Sequence, residues 1–382
     1  MKKLVLAGMT ILLILATSCS GKTLSKSDKS TTNNEIISVS IILKAFNQQK
    51  KVDDKLIPDV EAIVGAMQRL NTSVITELTQ EYANPIGDFS YDLTRDGKGV
   101  SIRKCRNSKN IPVVIVPETI EGITVTEIQN EAFYLTDLVA IVLPETITKI
   151  GVGGSRSSNA TFPRSLLIIN FPLNLKEIGN SAFASTNLIT AHLPEGLQII
   201  GEGAFTRCNN IRSVTLPSSL KEMGDGAFSH CSNLASVSLM EGLNKLGRDA
   251  FFSCRNLSTL TLPSSLRVIT SGAFWRTGVI ELVIPDGVEI IERLAFSECV
   301  RLLNVTLSST IKEIRSSELN PTDSGGAFEG CSNLTDIIIP ENLKSIAFKW
   351  GNRQAKTIFK DCGKLKLAVR QQLKELGYTG DF

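Results

Sequence analysis

The 382-residue sequence is poor in the residues and motifs that most site chemistry requires. It has two histidines, His192 and His230, and two tryptophans, and aromatic residues make up 6% of the chain. It has no G-x-x-x-x-G-K-[ST] phosphate loop, no paired-glycine dinucleotide loop and no HExxH zinc motif. No nucleophile and histidine form a recognisable catalytic motif either. We therefore expect no catalytic residue, no metal, no cofactor and no small-molecule substrate.

The chain also lacks an excess of either charge. It has 41 Lys and Arg residues against 38 Asp and Glu residues, a formal net charge of +3. No basic run is longer than a pair such as Lys50 and Lys51. A protein that binds nucleic acid needs a basic stripe to neutralise phosphates, so the composition argues against a nucleic-acid partner.

The N-terminus begins with Lys2 and Lys3, followed by an apolar run over residues 4–16. This run is too short to span a bilayer and is typical of a signal peptide, which we predict over residues 1–18. The segment Thr17-Ser18-Cys19 resembles a bacterial lipoprotein cleavage site, although Ala16 stands where that motif usually has Leu. We therefore predict a lipid on Cys19, with ordinary secretion as the alternative, and a flexible polar tether over residues 19–34.

A repeat organises the rest of the chain. From Phe205 to Phe274, phenylalanine recurs every 23 residues in the unit A-F-x-x-C-x-x-L-x-x-V-x-L-P-x-x-L-x-x-I-G-x-x. A fixed period of this size predicts one supersecondary unit that stacks on its copies. The V-x-L segment alternates like a short strand, Pro ends it, and Gly suits a tight or positive-φ bend. The repeat phenylalanines are Phe133, Phe162, Phe183, Phe205, Phe228, Phe251, Phe274, Phe296, Phe328 and Phe359.

This unit resembles the leucine-rich repeats of the BspA-like bacterial surface proteins, the treponemal type, over residues from about 88 to 366. The resemblance implies a solenoid of about ten coils of 21–23 residues, some lengthened by insertions, with a parallel sheet on its concave side. It also implies a lipid-anchored adhesin at the bacterial outer membrane or cell surface, which contacts host-matrix or cell-surface proteins or another bacterium. An envelope protein that organises its neighbours without a dedicated receptor is the alternative.

The flanks of the repeat differ from it in pattern. Helical spacing of apolar residues predicts a small helical segment over residues 35–85, and glycine- and aspartate-rich turns predict short strands that cap the solenoid over residues 86–116. The solenoid itself takes residues 117–363. Residues 364–382 are predicted to form an amphipathic helix that covers the last coil. Its apolar face consists of Leu365, Val369, Leu373 and Leu376.

Six cysteines each stand three residues after a repeat phenylalanine, and shorter coils place threonine in that slot, at Thr136, Thr186 and Thr277. A slot that accepts either residue requires a small, semi-apolar side chain, so we expect buried free thiols. Disulfides between stacked coils and, with less support, zinc binding remain alternatives. The six cysteines are Cys208, Cys231, Cys254, Cys299, Cys331 and Cys362.

The positions that alternate with buried strand residues form the main candidate binding surface. They are mostly hydroxyl residues, which either contact a ligand or simply solvate an exposed sheet. We take them as candidate concave-face binding residues. They are Thr190, His192, Ser213, Thr215, Ser236, Ser238, Thr259, Thr261, Glu281, Asn304, Thr306 and Asp336.

Three insertions form a second candidate surface, since they enter the unit at the same place and are expected on one flank. They run from Ile150 to Phe162, from Ile314 to Phe328 and from Ile346 to Phe359. The third contains Trp350 between Lys349 and Arg353, a combination that interfaces favour, although a tolerated loop would look the same. His230 is expected on the surface of a turn.

Overall fold

The computed structural model describes residues 76, 83–106, 113–153, 160–316, 325–341, 343, 346–350, 353–354 and 356–382. They belong to two compact units. The first comprises Met1–Leu175 and Thr186–Pro194, and the second comprises Lys176–Ser185 and Glu195–Phe382. The predicted signal peptide, Cys19, the tether and nearly all of the predicted helical segment lie outside the described residues.

Each coil contains a short strand immediately before the turn that the Leu-Pro motif marks. We call these the first-row strands. They pair in parallel with their counterparts in neighbouring coils: β3 with β6 and β6 with β8, β12 with β14 and β14 with β15, and β17 with β19 and β19 with β21. The first-row strands are β3 (Val113–Ile115), β6 (Ala140–Val142), β8 (Ile168–Ile169), β10 (Ala191–His192), β12 (Ser213–Thr215), β14 (Ser236–Ser238), β15 (Thr259–Thr261), β17 (Glu281–Val283), β19 (Asn304–Thr306) and β21 (Asp336–Ile338).

A second set of parallel strands, the second row, follows the turn and includes the Ile or Met slot of the unit. Most are two residues long, which is too short for alternation to reveal them, and the sequence predicted only a chain reversal here. In the second unit the pairing is in register, as in Ile200 opposite Met223. The second-row strands are β5 (Ile123–Gln129), β7 (Lys149–Val152), β9 (Glu177–Ile178), β11 (Ile199–Ile200), β13 (Glu222–Met223), β16 (Val268–Ile269), β18 (Ile290–Ile291), β20 (Glu313–Arg315) and β22 (Ala347–Trp350).

Antiparallel strands precede the first coil. A 3₁₀ turn at Ile86–Asp88 leads into β1 (Phe89–Leu93), which pairs antiparallel with β2 (Val100–Cys105), and β2 in turn pairs parallel with β5. The short strand β4 (Thr119–Ile120) forms an antiparallel pair with β5. Strand β2 thus has a partner on both edges.

A helix follows the last coil. Helix α1 (Leu367–Glu375) buries Val369 and Leu373, two of the four predicted face residues. Leu365 is also buried but precedes the helix, and Leu376 is its C-terminal cap.

The repeat phenylalanines form columns in the interior of each unit. Their side chains are at most 1% exposed. In the second unit the rings of Phe183, Phe205, Phe228, Phe251, Phe274, Phe296, Phe328 and Phe359 stack in that order with centroids 4.9–5.6 Å apart and planes within 12°. Stacked aromatic pairs add about 0.5–1.5 kcal/mol beyond their burial. The column therefore holds successive coils together, as the repeat predicted.

The glycine that follows the Ile or Met slot allows close approach of the backbones. Gly201, Gly224 and Gly247 do not have positive φ, and a Cβ on Gly224 would overlap the Glu202 backbone of the preceding coil. The positive-φ bend lies two residues later, as at Gly203 and Gly226. At these three glycines the slot thus requires close approach of neighbouring backbones, and the predicted positive φ is wrong for them.

The predicted fold class is confirmed. The described residues form a parallel-sheet β-solenoid of about nine turns with little helix.

Candidate functional site

The first-row strands of the second unit present one buried residue between two that reach solvent. Val214 on β12 and Val237 on β14 are buried, whereas Ser213, Thr215 and Ser238 are exposed. The strands pair in register, so the outward residues form two columns, Ser213–Ser236–Thr259 and Thr215–Ser238–Thr261. The structure therefore brings these six hydroxyl side chains together on one surface.

The first row changes character along β17, β19 and β21. Glu281 and Asp336 bring negative charge, and Lys366 forms an ion pair with Asp336. Val283 and Ile338, on either side of Thr306, are 63% and 57% exposed. Asn304, Thr306 and Asp336 are half-buried. The predicted face thus has a hydroxyl stretch and an acidic, partly apolar stretch.

The coil of the first unit that contains β10 departs from the expected pattern. His192 is exposed on β10, next to buried Ala191. Thr190 precedes the strand, and its Oγ1 is buried with no hydrogen-bond partner among the described residues. Thr190 therefore does not present an outward hydroxyl, because β10 begins one residue after it.

The cysteine slot contains buried thiols. Cys105 and the six slot cysteines are buried thiols. Each slot Sγ donates a hydrogen bond to the carbonyl oxygen of the phenylalanine in the preceding coil, at 3.0–3.2 Å, as Cys254 does to Phe228. Burial raises the pKa of Cys299 to about 11, and it raises the pKa of Cys231 and Cys331 well above the ordinary range. The slot was predicted to hold buried thiols, disulfides or zinc ligands. In the structure it holds buried thiols that link neighbouring coils by hydrogen bonds. In the described part of the chain, no group of His, Cys, Asp and Glu residues is arranged to hold a metal ion.

A family model for the BspA type leucine rich repeat region matches in six copies, over residues 105–160, 126–251, 155–280, 267–366 and 324–377. These matches cover well over half of the chain. The chain belongs to the BspA-type leucine-rich repeat family.

Solved structures of leucine-rich repeat proteins match parts of this BspA-type chain. A leucine-rich repeat protein from Bacteroides ovatus is 24% identical, with 73% of this chain and 80% of that chain covered and a TM-score of 0.47. The T. pallidum leucine-rich repeat protein is 23% identical, with 78% and 98% covered and a TM-score of 0.31. The pneumococcal vaccine antigen PcpA is 19% identical, with 74% and 82% covered and a TM-score of 0.40. No curated protein matches significantly.

The insertions of this BspA-type chain are described in part. Ile150 and Ile314 lie in the second-row strands β7 and β20, where the first two insertions begin. In the third, Phe348 rather than Ile346 lies opposite Ile314, so its predicted start is two residues too early. There the chain forms an antiparallel pair of β22 with β23 (Arg353–Gln354). Residues 154–159 and 317–324 lie outside the described part.

From Glu195 to Thr310, the turns after the first-row strands alternate between an acidic residue followed by Gly and a pair of hydroxyl residues. Ser264 N donates to Glu241 Oε1 at 2.8 Å, and Gly242 N donates to Ser265 Oγ at 3.0 Å. Ser265 Oγ in turn donates to Leu243 O at 3.0 Å. The same pattern joins Glu195 and Gly196 to Ser218 and Ser219, and Asp286 and Gly287 to Ser309 and Thr310.

One surface of the BspA-type coils was missed by sequence reasoning. His230, Phe252 and Trp275 come from three consecutive coils and contact one another as half-buried rings. Arg276 lies over the Trp275 ring and pairs with Glu298, and the charges of Arg207 and Arg255 act on His230. We call the three ring residues, the three arginines and Glu298 the aromatic–arginine patch. The signal was present in the sequence, because Phe252 and Trp275 occupy the same slot, directly after the repeat phenylalanine, 23 residues apart.

Charges in the patch influence one another. Burial, Arg207 and Arg255 lower the pKa of His230. The pKa of Glu298 is lowered chiefly by its hydrogen bonds with Arg276. The geometry agrees at one end of the patch, where Arg276 Cζ lies 5.1 Å from the centroid of the Trp275 ring. His230 lies in a turn as predicted, but it is packed against Phe252 rather than free in solvent.

Proposed function

We propose that this chain is a non-enzymatic cell-surface binding protein, an adhesin that contacts a host or bacterial protein or glycoprotein through its first-row face. The observation that carries the proposal is the pair of in-register hydroxyl columns from Ser213 to Thr261.

The geometry of this surface suits a large ligand. Parallel strands hold successive outward side chains at the spacing of neighbouring strands, about 4.8 Å, on a backbone that is already fixed. A preordered surface loses little conformational entropy when it binds. Hydroxyl groups donate and accept hydrogen bonds, so the columns can match peptide groups or sugar hydroxyls.

The acidic, partly apolar stretch adds selectivity. Val283 and Ile338 offer apolar contact area, and Glu281 adds a negative charge beside them. A ligand that spans both stretches would need polar groups over the hydroxyl columns and apolar groups over Val283 and Ile338. This requirement favours a macromolecule over a small molecule.

The proposed location is the outer membrane or cell surface, through a lipid on Cys19. The N-terminal sequence supports this anchor, and membership of the BspA-type family is consistent with it. Among the described residues, no helix is long and apolar enough to cross a membrane. Expression in a bacterial host should yield a lipid-modified N-terminal peptide by mass spectrometry, and Cys19→Ala should abolish the modification and release the protein from the membrane fraction.

Binding can be tested with two matched substitutions in one coil. Ser238 is exposed on the first row, and Asn244 is exposed six residues later, beyond the turn. Ser238→Arg and Asn244→Arg each add one arginine. Full-length protein should bind immobilised extracellular-matrix proteins or whole bacteria saturably, and Ser238→Arg should weaken that binding at least tenfold while Asn244→Arg leaves it unchanged.

Equal behaviour of the two variants would contradict a role for the first-row face. Protease treatment of intact cells tests the location, because an adhesin is digested from outside whereas an envelope protein on the inner side is protected. Protection, together with no saturable binding, would favour the structural alternative.

A further inference from the structure

We propose that the aromatic–arginine patch docks an acidic segment of a protein partner, a segment in which carboxylates alternate with apolar side chains. The inference rests on the proposed binding function and assigns it a second contact surface. The patch lies in the second unit and occupies the turn that follows the repeat phenylalanine, a slot several residues before the first-row strand.

The rings of the patch form a continuous row. The His230 and Phe252 rings meet edge to face with centroids 4.8 Å apart, and the Phe252 and Trp275 rings lie 4.6 Å apart at 33°. None of the three is fully buried. Three neighbouring coils therefore place apolar ring surface in one solvent-facing line.

The end of this row is held in place by charged groups. Arg276 lies over the Trp275 ring, with Cζ 5.1 Å from its centroid, and donates two hydrogen bonds of 2.9 Å to Glu298. Trp275 Nε1 also donates to Glu298 Oε1 at 3.4 Å. An aromatic side chain fixed in this way loses little entropy on binding, which is a property of the anchor residues of protein interfaces.

Four side chains of the patch occupy one backbone slot with a left-handed φ. The second residue after each repeat phenylalanine has a left-handed φ in this unit, and short residues, Ser185, Ser253, Gly330 and Asp361, occupy it in other coils. In the patch this position holds Arg207, His230, Arg276 and Glu298, at φ of 53–59°. A left-handed φ costs any residue with a Cβ about 1 kcal/mol, the serines and Asp361 included.

The charge of the patch indicates the chemistry of the partner. Glu298 pairs with the guanidinium of Arg276, whereas the side chains of Arg207 and Arg255 form no hydrogen bond or ion pair with any described residue. Two guanidinium groups, whose charges act on His230, therefore keep donors that the described residues do not use. Carboxylates of an acidic segment can bind these guanidinium groups while its apolar side chains cover Phe252 and Trp275.

A protein segment fits this arrangement better than a uniform polyanion. Nucleic acids and sulfated polysaccharides bind long runs of cations, whereas here two free arginines stand beside an apolar row. Aromatic residues and arginine together are the residues that protein interfaces enrich. The alternation of charge and ring surface thus favours alternating carboxylate and apolar groups in the partner.

The test uses full-length protein and three fluorescein-labelled peptides of one length, which alternate phenylalanine with glutamate, with glutamine or with lysine. Fluorescence anisotropy should show that the glutamate peptide binds at least tenfold more tightly than the other two. Arg207→Glu with Arg255→Glu should weaken binding of the glutamate peptide at least tenfold. Arg95→Glu with Lys98→Glu makes the same charge change in the exposed β1–β2 turn and should not weaken it.

The aromatic contribution has its own matched control. Trp275→Ala should weaken binding of the glutamate peptide at least tenfold. Tyr134→Ala, in the same slot of a coil of the first unit, should leave that binding unchanged. Unfolding midpoints identify any variant that loses its fold, and Trp275→Phe, which keeps a ring in place, should then lose threefold or less in affinity. A loss as large for Trp275→Phe as for Trp275→Ala would argue against ring contact.

Several outcomes would overturn the proposal. Equal binding of the glutamate and glutamine peptides would do so, as would tight binding of heparin with no binding of the glutamate peptide. Failure here is separable from failure of the proposed function. Matrix or cell binding that falls with Ser238→Arg but is unchanged by Arg207→Glu with Arg255→Glu would reject the role of the patch and leave the role of the first-row face intact.

Discussion

Two neighbouring slots of the coil behave in opposite ways. The repeat phenylalanine is the same residue in every coil of the second unit, buried and stacked at 4.9–5.6 Å. The residue directly after it changes from coil to coil, from Thr206 and Ser229 to Phe252, Trp275 and Ser297. A slot that holds the same residue in every coil is thus one that the stacking of coils requires. A slot where the residue varies, and where unusual residues cluster, is a candidate surface for a binding partner.

The largest expected effect breaks the interior column. Phe228→Ala removes a fully buried ring between Phe205 and Phe251 and should lower the free energy of unfolding by about 3–5 kcal/mol. Phe252→Ala, at the neighbouring variable slot, removes a half-buried ring and should cost about 1–2 kcal/mol. Denaturant unfolding followed by circular dichroism measures both. Equal losses would mean that the two slots do not differ in their contribution to the stack.

A smaller effect comes from the close approach of backbones between coils. Gly224→Ala places a Cβ against the Glu202 backbone, which cannot move as a flexible side chain does, and should cost about 1–3 kcal/mol. Gly363→Ala is the matched control, because a Cβ there meets nothing within 4 Å and its φ is not positive. An unchanged unfolding midpoint for Gly224→Ala would show that the coils can separate locally without cost.

The thiol slot should respond to the loss of its hydrogen bond. Cys254→Ala removes the donor to Phe228 O, 3.1 Å away, and should lower stability by about 1–2 kcal/mol. Cys254→Ser keeps a donor of similar size and should lose less. If serine proves worse than alanine in equilibrium unfolding, the slot is purely apolar and the hydrogen bond contributes nothing.

The smallest effect concerns two glutamates at the same turn slot. Hydrogen bonds from Ser264 lower the pKa of exposed Glu241, so its stabilising contribution is present above the unfolded value of about 4.3 and is lost as the pH falls through its folded pKa. Burial raises the pKa of Glu145. At pH values above this raised pKa, its buried charge therefore destabilises the folded state. Glu241→Gln should therefore lower the unfolding midpoint at pH 7, and Glu145→Gln should leave it unchanged or raise it.

Both differences should disappear once the carboxyl groups are protonated, in unfolding curves recorded from pH 7 down to pH 3. Shifts of the same sign for the two variants would contradict the opposite pKa directions.

The sequence predicted the interior because the interior is periodic. The phenylalanine column, the buried cysteines and the alternating first-row strands all follow from residues that recur at one spacing, and a recurring contact repeats its signal in every coil. The BspA-type family, the fold class and the outward positions from Ser213 to Thr261 were recognisable for the same reason.

What the sequence could not predict is local or irregular. Second-row strands of two residues carry no alternation, so only pairing between coils reveals them. Gly224 could serve a close approach or a positive φ, and only the neighbouring Glu202 backbone decides between them. Ile346 fits the repeat pattern, yet Phe348 occupies the position opposite Ile314. The aromatic–arginine patch joins single residues from several coils, and no single coil contains its pattern.

The alternation of acidic and hydroxyl turns has a consequence for how the chain can lengthen. Glu195, Glu241 and Asp286 each receive hydrogen bonds from the serine of the coil that follows, so the turns combine in pairs, and deletion of one coil would bring two acidic turns or two serine turns together. Duplication or loss of about 46 residues at a time keeps each acidic turn next to a hydroxyl turn, whereas a step of 23 residues does not. For these turn hydrogen bonds the repeating unit is therefore a pair of coils.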